Sequence, residues 1–263
     1  MFDLAAFSIS SVWAFLQVFA RVTSLFVTAP VFGSPQIPSQ VKVGLSALLS
    51  LAVLPLVRGS LMPGPPPGLG VMVGALLGEV LIGLLMGLTV SLLFYAVRLG
   101  GDLLDYQMGF TQAGTFNPQF NEMVSPIANF QYQYALVVYL LANGHWLLLA
   151  ALVRSFDKLP VAKLALGGHA LSAFTDMTFQ MMVNGLLIAA PGAAVLLITD
   201  IAFAFLNRAV PQMQVYFVGM PVKLLVGLGI VLAALPLLTV VVSDMVNNTV
   251  SSDLGTLMRG LHR

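Results

Sequence analysis

The sequence predicts an all-α integral membrane protein, and three observations carry that prediction. The 263 residues are 59% hydrophobic and only 8% charged, whereas a soluble domain carries roughly 25% charged residues to cover its surface. Mean hydropathy is +0.96. Apolar runs recur along the chain, about six in all, most of them near the roughly 20 residues that cross a bilayer as helix. Net charge is +1, which leaves no basic field for nucleic acid. Cysteine is absent, so disulfides, thiolate metal sites and cysteine nucleophiles are excluded. Asp3 stands where a signal peptide needs a basic residue, and the first apolar segment is expected to persist in the mature protein.

The first segment, residues 12–32, has Arg21 near its middle and ends in the breakers Pro30, Gly33, Pro35 and Pro38. Residues 41–57, led by Lys42, are short for a lone span. Residues 58–70 hold Pro63, Pro65, Pro66 and Pro67 and read as an extended linker. Residues 71–97 are apolar around Glu79. Leu99, Leu103 and Tyr106 continue at helical spacing, which carries this helix to Met108. Residues 126–153 open on a polar rim of Asn129, Gln131 and Gln133. A basic connection with Arg154, Lys158 and Lys163 follows. Residues 174–206 carry Asp176 and Asp200 and are expected to bend at Pro191-Gly192. After a polar break at 208–214, residues 215–242 are interrupted by Pro221, Lys223 and Pro236.

The tail, 244–263, is polar and expected to be exposed. No extramembrane stretch is long enough to fold alone, so residues 1–263 read as one membrane-embedded domain. A cytoplasmic N-terminus places Arg58, Arg154, Lys158, Lys163, Arg259 and Arg263 inside, against Lys42, Arg98 and Arg208 for the reverse, which favours a cytoplasmic C-terminus. Fifteen prolines and 24 glycines are many for lipid-facing spans, whose freed backbone groups need protein neighbours. A subunit buried in a larger assembly fits that composition.

The longest polar interruption, residues 98–125, ends in a half that is poor helix: Gly109, Gly114, Asn117 and Pro118 punctuate it. Phe110, Phe116 and Phe120 alternate there with Gln112, Gln119 and Asn121. Non-helical backbone between membrane-grade helices is tolerated where protein buries it or where it lines a wet cavity. Two readings stand: a re-entrant or pore-facing loop, and a surface loop resting its aromatics on lipid head groups. Arg21, Glu79, Asp176 and Asp200 are ionisable groups in apolar segments, and such groups serve either as structural pairs between helices or subunits or as a proton relay. Arg21 with Glu79 is the simplest opposite-charge pair. Gly74, Gly78, Gly83 and Gly87 form small-xxx-small pairs for close helix approach. His145 reads as a neutral core histidine with a satisfied hydrogen bond. No zinc motif, Ser-His-Asp set or Walker loop is legible. Leu99-Gly100-Gly101-Asp102 misses the Gly-x-Gly-Asp pattern of intramembrane aspartyl proteases, and nothing supports an enzyme.

Several runs together resemble one family. They are FARVTSLFVTAPVFGS (19–34), IPSQVKVGLSALLSL (37–51), GEVLIGLLMGL (78–88), GGDLLDYQMGF (100–110), NGHWLLLAALVRSFDKLP (143–160) and LNRAVPQMQVYFVGMPVKLLVGL (206–228). The chain resembles the FliR/SctT family of type III export-gate proteins along essentially its whole length. The resemblance implies a non-enzymatic core subunit without cofactor, built like a FliP-like and a FliQ-like hairpin arrangement joined in one chain. It implies assembly with FliP and FliQ, with FlhB and FlhA nearby, in the bacterial inner membrane at the flagellar basal body, for export of unfolded flagellar proteins. It also implies that many of these helices stand above the bilayer plane. By the same resemblance, Gly109 to Glu122 would be the pore plug, with Gly109, Phe110, Gln112, Gly114, Phe116, Asn117, Pro118 and Phe120 as its candidate residues. VGMPVKLLVGL (218–228) favours the flagellar branch, since injectisome relatives tend to carry serine where Gly219 stands. The alternatives are an injectisome export-gate subunit and a proton-coupled secondary transporter using Glu79, Asp176 and Asp200. A transporter of this size often shows an internal repeat, and none is visible between the halves.

Overall fold

The computed structural model describes residues 9–110, 125–159, 168–210, 215–249 and 254–261. Among them there is no strand. The helices are α1 (Ile9–Thr28), α2 (Ser39–Val57), α3 (Leu69–Met108), α4 (Pro126–Leu141), α5 (Gly144–Lys158), α6 (Gly168–Ala209), α7 (Val215–Asn248) and α8 (Leu254–Leu261). Five stretches are long and apolar enough to cross a membrane: Ile9–Thr28, Ser39–Ser60, Leu69–Met108, Leu171–Ala209 and Gly219–Asn248. The α4 and α5 pair makes a sixth if taken as one span. The all-α membrane architecture expected from composition is the one observed. Residues 41–57, short alone, reach span length because a 3₁₀ turn, Arg58–Ser60, continues α2.

The helices are less broken than the prolines suggest. Pro191 lies inside α6, and Pro221 and Pro236 lie inside α7, without ending either helix. Each proline removes one i→i−4 bond, and in helices of 42 and 34 residues the helical assignment continues on either side. The break comes instead at Asn143, whose φ of 56° is left-handed and separates α4 from α5.

The chain gathers into two compact units. Unit 1 is Met1–Leu92, Ala142–Thr178 and Val246–Arg263; unit 2 is Leu93–Leu141 and Phe179–Met245. In unit 1, α1 buries Trp13, Ala14, Gln17, Val18, Arg21, Val22, Ser24 and Leu25, a stripe of helical period. It packs on α2, and α2 packs on α5. Of the tail, Asp244, Asn247 and Asn248 are exposed as expected, whereas α8 turns an apolar stripe inward. In α8 the side chains of Leu254, Met258 and Leu261 are buried, spaced four and three residues apart, and the helix packs on α5. A short apolar stripe among polar residues was enough to dock it.

In unit 2 the core is Leu104, Met108, Ile127, Ala189, Leu196 and Val231, with Phe110 packed against its edge. Glycines let the helices approach. A Cβ on Gly101 would lie 2.4 Å from Ala128 Cα, and one on Gly185 would lie 2.9 Å from the Ala96 carbonyl oxygen. Outside this core, α6 and α7 are little covered: only 17% and 22% of their most apolar windows are buried.

Candidate functional site

The residues that define unit 1 from within lie where α1 meets α3. On α3, Glu79, Gly83, Gly87 and Ser91 recur every four residues, so they share one face. A Cβ on Gly83 would fall 2.0 Å from Ser24 Oγ and 2.3 Å from the Arg21 carbonyl oxygen. One on Gly87 would fall 2.0 Å from Thr28 Oγ1 and 2.9 Å from the Leu25 carbonyl oxygen. Backbone therefore meets backbone along this seam, as small-residue packing allows. Ser91 Oγ donates to the Thr28 carbonyl at 2.6 Å and locks one end.

Arg21 and Glu79 lock the other. Both are essentially buried, at 0% and 2% side-chain exposure. Arg21 Nε donates to Glu79 Oε2. Its Nη1 donates to Ser155 Oγ at 2.9 Å and its Nη2 to the Leu159 carbonyl at 2.9 Å. The guanidinium lies 4.1 Å from the centre of the Phe156 ring, a cation–π contact. Leu159 is the residue that closes α5, and its own N–H bonds back to the Ser155 carbonyl. The last carbonyls of a helix have no intrahelical donor and carry the negative end of its dipole. Arg21 satisfies one of them with a cation, so one side chain ties α1, α3 and the C-terminus of α5. Nearby, the Gln17 amide treats Met62 as a backbone partner: Nε2 donates to its carbonyl at 3.4 Å and Oε1 accepts its N–H at 3.3 Å. That pins the proline-rich linker to α1.

Unit 2 has a buried charge of the opposite sign. Asp105, 0% exposed, accepts from Ile127 N at 3.1 Å and Ala128 N at 2.9 Å. Helix α4 starts at Pro126, a favoured first helical residue, and its free N–H groups and positive dipole end meet a carboxylate. Asp105 has no cation partner among the described residues.

The remaining candidate residues are scattered. Asp200 pairs with Lys223 at 2.7 Å, with side-chain exposures of 48% and 19%. Asp176 is exposed on α6. Gly74 is exposed with open space around it, and Gly78 is buried. Gly109 ends α3 with φ 88°, where a Cβ would meet no described atom within 4 Å, a conformation glycine adopts without strain. Gln112, Gly114, Phe116, Asn117, Pro118 and Phe120 lie outside the described residues. His145 Nδ1 is buried without a hydrogen-bond partner, unlike the satisfied histidine expected. Among the described residues no group of three or more His, Cys, Asp or Glu is placed to hold a metal ion. Asp105, Ser155 and the Leu159 carbonyl were not singled out from sequence. The one available signal for Asp105 was Pro126, which marks a helix start in need of an anion.

A model of the family "Bacterial export proteins, family 1" matches residues 12–249. The flagellar biosynthetic protein FliR of Pectobacterium carotovorum subsp. carotovorum is 33% identical over 226 residues, 84% of this chain and 85% of that one. FliR of Escherichia coli (strain K12) is 32% identical over 223 residues, 83% and 82% of the two chains. FliR of Bacillus subtilis (strain 168) is 30% identical over 246 residues, 91% and 92%.

Proposed function

The chain belongs to the family of bacterial export proteins, family 1, and on that premise we propose that it is a non-enzymatic core subunit of the flagellar type III export gate. In this reading it sits in the bacterial inner membrane at the basal body, assembles with FliP and FliQ near FlhB and FlhA, and helps form and seal the channel for unfolded flagellar proteins. The observation that carries the reading is the uncovered state of α6 and α7. Their large apolar side chains point outward along most of their length, Phe179, Leu187, Ile198 and Phe205 among them at 64–70% exposure. Yet carboxylates share those faces, at Asp176 and Asp200. Lipid accepts the first kind of surface and rejects the second; neighbouring subunits around a wet interior accept both.

Length supports the same reading. Helix α3 has 40 residues, about 60 Å at about 1.5 Å per residue, twice a hydrocarbon core of about 30 Å. The transporter alternative needs free coupling acids, whereas Glu79 is held by Arg21 and Asp200 by Lys223. The relatives named FliR favour the flagellar branch over the injectisome.

Co-expression tests the assembly. Alone in detergent the chain is expected to be heterogeneous, and with FliP- and FliQ-like proteins it is expected to co-purify as one stable complex. Substrate uptake by the purified chain alone would overturn the proposal in favour of a transporter. The seal has its own test. Shortening residues 112–119 is expected to leave assembly intact and make the resting membrane leak small ions, because hydrophobic constrictions close a pore by dewetting. Membrane potential in cells carrying the shortened loop is the readout, and wild-type conductance with normal assembly would remove the plug from the reading.

A further inference from the structure

Exposed cations of unit 1 gather at one place that the export reading leaves unused. Ser60 Oγ, in the turn that ends α2, donates to Asp157 Oδ1 near the end of α5. The C-terminal ends of α2 and α5 are thereby held together, and Gln17 fixes the chain again at Met62. Next to this bond in the chain are Arg58, on the same turn, and Arg154 and Lys158, on α5. All three are exposed and have no ion-pair partner among the described residues. Arg154 and Lys158 stand one helical turn apart, so two like charges share a face, which is mildly unfavourable. The dipole of α5 does not account for them, since Arg21 already serves its Leu159 carbonyl. The one carboxylate among them, Asp157, leaves the patch short of negative charge.

Beside the patch the surface is apolar. On α2, Leu45, Leu48, Leu51 and Leu56 are 44–72% exposed and lie on one side of the helix that ends at Arg58. On α5, Trp146 and Leu147 are exposed on the N-terminal side of Arg154. No charge interrupts either run. Two exposed apolar faces thus end together at cations, which is the order of acyl chain and phosphate in a bilayer leaflet. We propose that this face of unit 1 binds an anionic phospholipid, its phosphodiester held among Arg58, Arg154 and Lys158 and its acyl chains along α2 and the start of α5. Guanidinium groups donate to phosphate oxygens in pairs, and the ammonium adds a point charge. The inference rests on the membrane character of the chain and not on its place in an export gate.

Trp146 is the reporter, because Trp13, the chain's other tryptophan, is buried. Arg154 is about 12 Å from Trp146 along the helix axis, within the about 15 Å of hydrocarbon in one leaflet. A bromine at mid-chain of a lipid held at Arg154 therefore reaches the indole. The full chain in phosphatidylcholine nanodiscs is doped with brominated phosphatidylglycerol or with brominated phosphatidylcholine, and tryptophan emission is followed. Half-maximal quenching by phosphatidylglycerol is expected at a mole fraction about 25-fold lower, about fivefold for each of two net charges. The preference is expected to shrink as salt is added. Arg58→Gln, Arg154→Gln and Lys158→Gln are each expected to lower it about fivefold, and all three together to abolish it. Quenching by brominated phosphatidylcholine and the melting temperature are expected to stay at wild type, since these side chains are exposed and unpaired. Arg208→Gln, which removes an exposed cation of unit 2, is expected to leave the preference unchanged. Equal quenching by the two lipids overturns the proposal, and so does a preference that survives the triple variant. Absence of quenching by either lipid would mean that protein covers this face, and overturns it as well.

Discussion

Unit 1 and unit 2 each hold a fully buried charged side chain that meets a helix end. Arg21 meets the C-terminus of α5; Asp105 meets the N-terminus of α4. The signs match the helix dipole in both cases. The difference is in reach. Asp105 bridges two elements, α3 and α4, through backbone N–H groups that helix geometry already points at it. Arg21 bridges three, through a carboxylate, a hydroxyl, a carbonyl and an aromatic face. A planar guanidinium with five N–H donors serves three acceptors and an aromatic face here. The comparison teaches that what such a residue stabilises depends on how many separately folded pieces meet at it, more than on its charge.

The largest expected effect follows from that. Arg21→Leu leaves Glu79 buried without its cation and the Leu159 carbonyl without its side-chain donor, and it is expected to cost about 3–5 kcal/mol. Thermal melting and complex yield on co-expression both read it. Arg21→Lys is expected to recover only part, because one ammonium cannot reach all three acceptors and cover the Phe156 ring. The double variant Arg21→Leu/Glu79→Leu is expected to recover part by removing the stranded carboxylate. Melting of Arg21→Leu at the wild-type temperature would mean that the three-element junction contributes nothing.

The sequence disclosed these two centres unequally, for physical reasons. Arg21 and Glu79 stand out because charge is rare in apolar runs and opposite charges there must meet something. Their further partners, Ser155 and the Leu159 carbonyl, lie 134 and 138 residues from Arg21 in the chain. A serine and a backbone group carry no signal over such a separation. Asp105 was hidden differently. It falls in a polar stretch beside Asp102, where an acid looks solvated, and its partners, the N–H groups of Ile127 and Ala128, lie 22 and 23 residues further on. The extension of α3 to Met108 was legible because Leu99, Leu103 and Tyr106 keep helical spacing. The docking of α8 was not, since Leu254, Met258 and Leu261 form a stripe too short to outweigh the polar residues between them. The glycine pattern was legible as packing but not as a partner: Gly83 and Gly87 meet α1, while Gly74 meets open space.

That contrast among glycines sharpens the comparison at the next level. Gly83→Ala drives a methyl group into the backbone of α1 beside Arg21, and overpacking of this kind is expected to cost about 1–3 kcal/mol. Gly74→Ala meets nothing and is expected to be neutral or stabilising by up to about 1 kcal/mol, the helix preference for alanine. Equal melting temperatures for the two variants in the isolated chain would break the seam described here. In unit 2, Asp105→Ala removes an N-terminal cap and is expected to cost about 0.5–2 kcal/mol. Asp105→Asn keeps one acceptor oxygen and is expected to cost less. A loss from Asp105→Ala as large as that from Arg21→Leu would mean that reach does not matter.

The smallest effect is expected at the Asp200–Lys223 pair, the second ion pair among the described residues and the one with a half-exposed member. Here Asp200 and Lys223 lie within the same unit. An exposed ion pair gains little Coulomb energy in a high dielectric and loses side-chain entropy, and it is worth about 0–1 kcal/mol. Lys223→Met is therefore expected to shift melting of the isolated chain by no more than that, and the shift is expected to shrink as salt is added. The same substitution in the co-expressed complex asks a different question. If a partner subunit covers α6 and α7, Asp200 loses its water there, and the uncompensated carboxylate becomes costly as Glu79 does in Arg21→Leu. A small effect in the chain with a large, salt-insensitive loss of complex yield would place this pair inside the assembly. A small effect in both would leave it facing water, and would confine the work of buried charge to Arg21 and Asp105.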